Sequence, residues 1–302
     1  MDDLIINAAL TGMVATKADN PNLPCTPAEI IADARRCRDA GASIVHIHAR
    51  DESFAPTYKR EIYREIIAGV REACPDLLIC GSTSGRLFRE FSERCQVLDL
   101  GAQCRCDLAS LTLGSLNFAN QASVNEPRMI EALAAAMNAR GVVPEWEIFE
   151  LGMVDYAKHL MQKGMLVRPY YCNILLGSRG TLAATPTNLI AVVNALPEGT
   201  TWSAGGIGRS QFYVNCLAVT MGGHVRLGLE DNLCYDGDKS QLATNAGLVE
   251  RIVKVARAIG REIASPQKAR EIIGLRQPGL NVAIETVRTR RAFRSLHAEQ
   301  GS

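Results

Sequence analysis

Residues 26–50 read TPAEIIADARRCRDAGASIVHIHAR, a helix signal followed at once by a strand signal. Thr26 is placed to cap, Pro27 to take the first helical position, Glu29 to close a capping box, and Gly41 to mark the end. The run SIVHIHA (43–49) is short and β-rich. The same alternation extends along the chain. Further strand candidates fall at 4–10, 77–83, 108–113, 144–149, 170–176, 200–206 and 224–230. Helical patterns at 57–73, 86–97, 127–140, 152–164, 186–195, 209–221 and 241–260 lie between or after them.

Alternation of this kind predicts a parallel sheet. Eight βα pairs fit the roughly 250 residues of a (β/α)8 TIM barrel, and no composition shift or flexible linker divides the chain. A doubly wound open sheet is the alternative. LTGMVATK (10–17), after the first strand, lacks its usual G-x-G-x-x-G fingerprint. The barrel is expected over residues 1–276. Residues 277–302 form an arginine-rich C-terminal extension, read as a solvated or subunit-contacting tail.

With 302 residues, 47% hydrophobic and 22% charged, the chain can bury a large core. A net charge of +1 leaves no basic footprint for nucleic acid, so a small molecule is the expected partner. No apolar stretch reaches membrane-spanning length, and MDDLIINAAL carries acidic residues where a signal peptide would be basic. A cytoplasmic location is expected. The ten cysteines are scattered, which predicts small buried hydrophobes rather than disulfides. Cys104 and Cys106 are the only close pair, and no second pair of finger-like spacing accompanies them.

Catalytic groups of such barrels sit where strands end and βα loops begin. Those positions hold Thr11 and Val14, His46 and His48, Ser82, Ser110, Glu145 and Glu147, Asn173, Gly205 to Arg209, and Arg226, Glu230 and Asp231. Polar groups at the ends of apolar strands must find partners or cost stability, so their concentration points to a site. His46 and His48, two apart on a strand, face the same way and suit a borderline metal such as zinc. A third ligand is then needed. Glu230 is the first candidate, with Glu145 and Glu147 as alternatives. Two neutral imidazoles and one carboxylate around a divalent ion leave a net charge of about +1, suited to an anionic carbonyl substrate. Asp231, expected to face the other way along the strand, could act as a base held ionised by Arg226; a structural ion pair is the competing reading. AGGIGRS (204–210) offers Gly205, Gly206, Gly208 and Arg209 to a phosphate at a helix start.

The ordered set TG (11–12), NPNLPCTPAEI (20–30), VHIHAR (45–50), ST (82–83), SLNF (115–118), VVPEWEIFELGMV (142–154), GGIGR (205–209) and GGHVRLGLEDN (222–232) resembles the β-keto acid cleavage enzymes. The resemblance spans about residues 3 to 275. It implies a (β/α)8 barrel holding a divalent metal, usually zinc, on His46, His48 and Glu230. It implies a reaction in which a β-keto acid and acetyl-CoA give acetoacetate and a new acyl-CoA. Asp231, supported by Arg226, would take the proton between the two carbonyl groups. Ser82 matches a serine that contacts the substrate carboxylate, and Ser110 stands where the 3-keto-5-aminohexanoate enzyme has threonine. Arg209 and the neighbouring glycines would meet CoA phosphates. A homo-oligomer, a tetramer, is implied as well.

Val14 departs from the pattern, because the carboxylate that meets the substrate's amino group in the aminohexanoate enzyme is absent. Substrates without a free amino group are expected. Leu10 and Leu113, at expected strand ends, favour a hydrocarbon acyl chain. Arg86, in STSGRLF (82–88), either reaches a second carboxylate or points to solvent. The resulting order is neutral short-chain β-keto acids, then dicarboxylic ones, then the aminohexanoate. Two other functions compete. A metal-dependent amidohydrolase barrel would need further histidines on later strands, and only His159, His224 and His297 remain. A noncatalytic metal-binding barrel is the other.

Overall fold

The computed structural model describes residues 1–118 and 121–276. Eight strands close into one parallel barrel: β1 (Ile6–Ala9), β2 (Ile44–Ile47), β3 (Leu78–Gly81), β4 (Leu108–Thr112), β5 (Val143–Ile148), β6 (Tyr170–Leu176), β7 (Thr200–Gly206) and β8 (His224–Leu227). Closure comes from β1, which pairs Ala9 with His46 on one side and Ile6 with Val225 on the other. The TIM barrel expectation holds, and all eight expected strands are present. The extension at 277–302 lies outside the described residues. No described helix is long and apolar enough to cross a membrane.

Helix α1 (Pro27–Ala40) follows its local code. Thr26 accepts the Glu29 N–H at 3.2 Å, and the Glu29 carboxylate accepts the N–H groups of Thr26 and Cys25 at 3.1 and 2.9 Å. Its Ile30, Asp33, Ala34 and Cys37 recur at helical spacing and are buried. The helices α2 (Arg60–Ala73), α3 (Phe91–Arg94), α4 (Pro127–Arg140), α5 (Leu151–Gln162), α6 (Pro186–Ala195), α7 (Gln211–Thr220) and α8 (Asn245–Ala258) complete the ring. All ten cysteines are free, and seven are buried.

Three local expectations are corrected. Residues 86–97 form only α3 and a 3-10 turn at Gln96–Leu98. Tertiary contacts override helix propensity there, since the buried Arg94 guanidinium donates to the Thr83 carbonyl at 2.8 Å and to Asn125 at 2.7 Å. Strand β8 stops at Leu227 rather than 230, because Gly228 turns the chain at φ 141°, where a side chain would collide with the Ala9 carbonyl. A further helix, α9 (Pro266–Ile273), places Ala269 and Ile273 against Ile5, Leu78 and Tyr171. It thereby covers the apolar end of the barrel interior. Asp107 bridges this helix to α2, accepting from Arg270 at 2.7 Å and from Arg71 at 2.6 Å.

Candidate active site

Along the barrel interior, apolar residues near α9 give way to polar ones at the strands' C-terminal ends. His46 and His48 project into this polar end with ring centroids 5.0 Å apart. Glu230 meets both: its two oxygens lie 3.6 Å from His46 Nε2 and 3.3 Å from His48 Nε2. Donor atoms from all three residues fall within 4.8 Å of one another. His46 Nε2 and Glu230 Oε2 are buried with no hydrogen-bond partner among the described residues. Two orphaned donor atoms facing one point are what a divalent cation would satisfy, so the set fits a metal. Burial drives the His46 pKa well below its ordinary value and keeps the imidazole neutral, as a ligand must be. Burial alone would raise the Glu230 pKa, but His48, Arg226 and His46 hold it well below the carboxylate range.

Gly12 makes this placement possible. It has φ 65°, and a Cβ there would come 2.7 Å from Glu230 Cγ. The β1 loop is held from behind by the buried Arg50, which donates to the carbonyls of Gly12 at 3.0 Å, Ala15 at 2.7 Å and Phe54 at 3.0 Å.

Arg226 organises the acidic groups. Its Nε donates to Asp231 Oδ2 at 3.0 Å, Nη2 to Glu230 Oε1 at 2.8 Å and Nη1 to Glu147 Oε1 at 3.2 Å. Asp231 does not face away from Glu230 as an extended strand would require. Both follow the Gly228 turn, outside the strand, and both converge on one guanidinium. Burial would lower the Arg226 pKa, yet Asp231, Glu230 and Glu147 push it well above the usual value. Burial raises the Asp231 pKa, and the Arg226 charge opposes that rise.

Glu145 and Glu147 occupy different surroundings. Glu147 accepts the Thr112 hydroxyl at 2.6 Å and lines the cleft described below. Glu145 lies deeper, accepts from Asn7 Nδ2 at 2.8 Å and sits 3.8 Å from His46 Nδ1. Burial pushes its pKa up to about 7 against the Arg226 charge. Glu145, His46 and Cys80 form a second group of metal-ligand types, with His46 Nδ1 3.4 Å from Cys80 Sγ. His46 belongs to both groups, facing Cys80 and Glu145 with Nδ1 and Glu230 with Nε2.

A cleft of about 500 Å³ opens above these groups. His48, Arg226, Glu230, Asp231 and Glu147 are among its lining residues, with Val14 and Arg86. Arg86 is turned inward, its guanidinium carbon 3.4 Å above the Phe118 ring centroid, which rejects the reading that it points to solvent. Leu10 and Leu113 do not line the cleft. Both are buried behind it, and the apolar wall comes instead from Met13, Val14, Phe118, Phe149, Leu175 and Ile207. Ser82 borders the smaller recess beside His48, and its hydroxyl accepts the Ser84 N–H at 3.2 Å. Ser110 is buried behind it, accepting the Thr83 N–H at 3.2 Å.

The glycine turn differs from the expected phosphate nest. Gly205 and Gly206 belong to β7, paired with Leu175 and Leu176. The Gly208 N–H is taken by the Asp231 carbonyl at 2.7 Å, so it is not free for an anion. Arg209 is exposed and lies outside the residues lining the cleft. Sequence reasoning missed Phe118 and Phe149 as cleft walls, Arg50 as the loop clamp, and Glu147 as a partner of Arg226. The last was signalled only by parity, since 145 and 147 share a strand face.

No third histidine among the described residues joins the site, and His297 lies outside them. His224 stands at the N-terminal end of β8, where its Nδ1 accepts the Ile5 N–H at 3.1 Å, and His159 is exposed on α5. An amidohydrolase arrangement with histidines from later strands is therefore not assembled among the described residues.

The family described as BKACE, beta-keto acid cleavage enzyme, matches residues 3–275. A 3-keto-5-aminohexanoate cleavage enzyme of Fusobacterium nucleatum subsp. nucleatum is 40% identical over 279 residues, covering 92% of this chain and 100% of that protein. A 3-oxoadipate:acetyl-CoA acetyltransferase of Cupriavidus necator is 33% identical over 276 residues, covering 90% and 94%. Among solved structures, the apo structure of ObcA is similar at a TM-score of 0.74 with 21% identity, over 84% of this chain. The match takes in 66% of that longer chain, just under two thirds, and is a likeness of fold.

Proposed function

The chain belongs to the β-keto acid cleavage enzyme family, and we propose that it joins a β-keto acid and acetyl-CoA to give acetoacetate and a new acyl-CoA. One observation carries the reading beyond the family name. Asp231, a carboxylate fixed by Arg226, lines the same cleft as His48 and Glu230.

His46, His48 and Glu230 would hold one divalent ion, and zinc suits two imidazoles with a carboxylate. Such an ion supplies Lewis-acid stabilisation of the negative charge that develops when a β-keto acid is deprotonated. The chain's own groups do the rest. Asp231 takes a proton from the carbon between the two carbonyl groups, and Arg226 fixes that carboxylate in place. Glu147 holds the far side of the guanidinium, so Arg226 cannot swing away with its partner. The carbanion attacks the thioester carbon of acetyl-CoA. CoA then passes within the intermediate to the original keto carbon, and cleavage of the bond between that carbon and the former central carbon leaves the electron pair on the latter, which takes its proton back from Asp231 to give acetoacetate. Ser82 and Ser110, the latter through the Thr83 turn it supports, serve the substrate carboxylate.

Val14 is a cleft residue with no acceptor side chain, so a free ammonium on the acyl chain would find no partner there. The acyl end is also where the relatives differ by name: one carries an amino group, another a second carboxylate. Arg209, exposed after β7, is the cation offered to the phosphates of CoA. The protein works as a cytoplasmic homo-oligomer, a tetramer, in this reading. Incubation with acetyl-CoA and a panel of β-keto acids, read by mass spectrometry for acyl-CoA products, tests the reaction. Absence of any new acyl-CoA from metal-replete protein would reject it in favour of a noncatalytic barrel.

A further inference from the structure

Two arginines line the cleft, and they are partnered very differently. Arg226 is saturated, with Glu147, Glu230 and Asp231 within 3.2 Å of its nitrogens. No carboxylate among the described residues lies within 4.0 Å of the Arg86 side chain, whose backbone N–H alone is engaged, by the Ser84 hydroxyl at 3.3 Å. Burial lowers the Arg86 pKa, and the carboxylates of Glu230, Asp231 and Glu147 oppose this only from a distance. A guanidinium stays protonated regardless.

A half-buried cation without a counter-ion is unfavourable until an anion arrives. Phe118 covers one face of this guanidinium at 3.4 Å and so fixes its plane. The N–H edges remain for a planar anion, and a carboxylate is the group that a guanidinium binds through two parallel hydrogen bonds. Among the described residues of the wall, the other arginine, Arg226, is already held by three carboxylates. Val14, Phe149, Leu175 and Ile207 are apolar, while Gln121 and Ser178 are neutral.

We infer that Arg86 determines specificity at the acyl end of the cleft and that the β-keto acid carries a second carboxylate, which Arg86 binds. This rests on the acyl-transfer reading above and reverses the order expected from sequence, because Leu10 and Leu113 are withdrawn from the cleft while Arg86 enters it. The apolar residues then pack along the methylene spacer between the keto group and the distal carboxylate.

A pair of substrates of equal length isolates the distal group: 3-oxoadipate and 3-oxohexanoate, each with acetyl-CoA. The holoenzyme is expected to favour 3-oxoadipate in kcat/KM by about 100-fold, the range of a charge-assisted bidentate pair. In Arg86→Leu that ratio should fall about 100-fold, and Arg86→Lys should restore only part, since an ammonium has no fork. Metal content equal to wild type checks that Arg86→Leu has folded. A wild-type preference for 3-oxohexanoate would overturn the inference. So would a loss in Arg86→Leu that is equal for both substrates, which would place Arg86 on the carboxylate common to all β-keto acids. A change confined to the KM for acetyl-CoA would assign it to CoA instead. If wild type forms no acyl-CoA from either substrate or from the wider panel of β-keto acids, the acyl-transfer reading has failed. Calorimetric titration with adipate and hexanoate then still decides about Arg86: adipate bound more tightly by wild type than by Arg86→Leu supports it, and equal binding rejects it.

Discussion

Arg226 Nε and Asp231 Oδ2 lie 3.0 Å apart across a turn that brings residues five apart in sequence face to face. The pair exists because β8 ends early. Had the strand continued through 230, Asp231 would have pointed to the opposite side from Glu230, and no single guanidinium could hold both. Asp231→Asn keeps the shape and removes the base. Metal content should stay at the wild-type level, while kcat falls by about 10²–10⁴, the usual weight of a general base. Deuterium exchange at the central carbon of the β-keto acid should vanish with it. Normal exchange in this variant would assign the proton to another group.

The metal site makes a separate demand. His46 Nε2 and Glu230 Oε2 are buried without partners, so removing one ligand leaves the others facing an unmet charge requirement. His46→Ala and His48→Ala should each lose bound metal, measured by elemental analysis of the purified protein, together with activity. Full metal content in the double variant would mean that the ion binds elsewhere. Chelation and re-addition of zinc, manganese or cobalt should restore wild type but neither variant.

Arg209 gives a weaker but independent test. Its neighbours in the glycine turn are engaged by β7 and by the Asp231 carbonyl, which leaves the side chain as the part available to a phosphate. Arg209→Ala should raise the KM for acetyl-CoA several-fold and leave that for the β-keto acid near its wild-type value. An unchanged acetyl-CoA dependence would remove Arg209 from the CoA site without touching the reaction.

The legible part of this molecule is the part written locally. Thr26, Pro27, Glu29 and Gly41 specify a helix start and stop within sixteen residues, and α1 obeys them. His46 and His48 share a face by strand parity alone. What sequence could not convey depends on contacts between distant segments. The 82–90 turn is held open by the reach of Arg94 to Thr83 and Asn125, and Arg86 is turned inward by Phe118, more than thirty residues away. Glu145 and Glu147 read alike in sequence. Depth in the barrel separates them, one against Asn7 and His46, the other against Thr112 and Arg226. The Gly228 turn was readable as a glycine but not as the end of a strand, and that single residue decides where Asp231 faces.

His224 carries a prediction about stability rather than catalysis. It stands at the opposite end of the barrel from the metal candidates, where burial, aided by the Arg261 charge, lowers its pKa from 6.5 to about 3. Its Nδ1 accepts the Ile5 N–H, so the neutral ring is built into the β1–β8 junction. An unfolded chain would take up a proton on this ring near pH 6.5, whereas the folded protein refuses it until about pH 3. The stabilisation is thus fully present above pH 6.5 and is lost as pH falls, at roughly 1.4 kcal/mol per unit, or about 2 kcal/mol by pH 5. Asn at 224 can still offer an oxygen to Ile5 but cannot titrate. Urea unfolding of wild type and His224→Asn at pH 7.5 and pH 5.0 isolates this contribution, since every other titrating group is common to both. Wild type should be the more stable at pH 7.5, and the gap should narrow by about 2 kcal/mol at pH 5.0. A gap that stays constant would mean that His224 is as readily protonated in the folded barrel as in the unfolded chain.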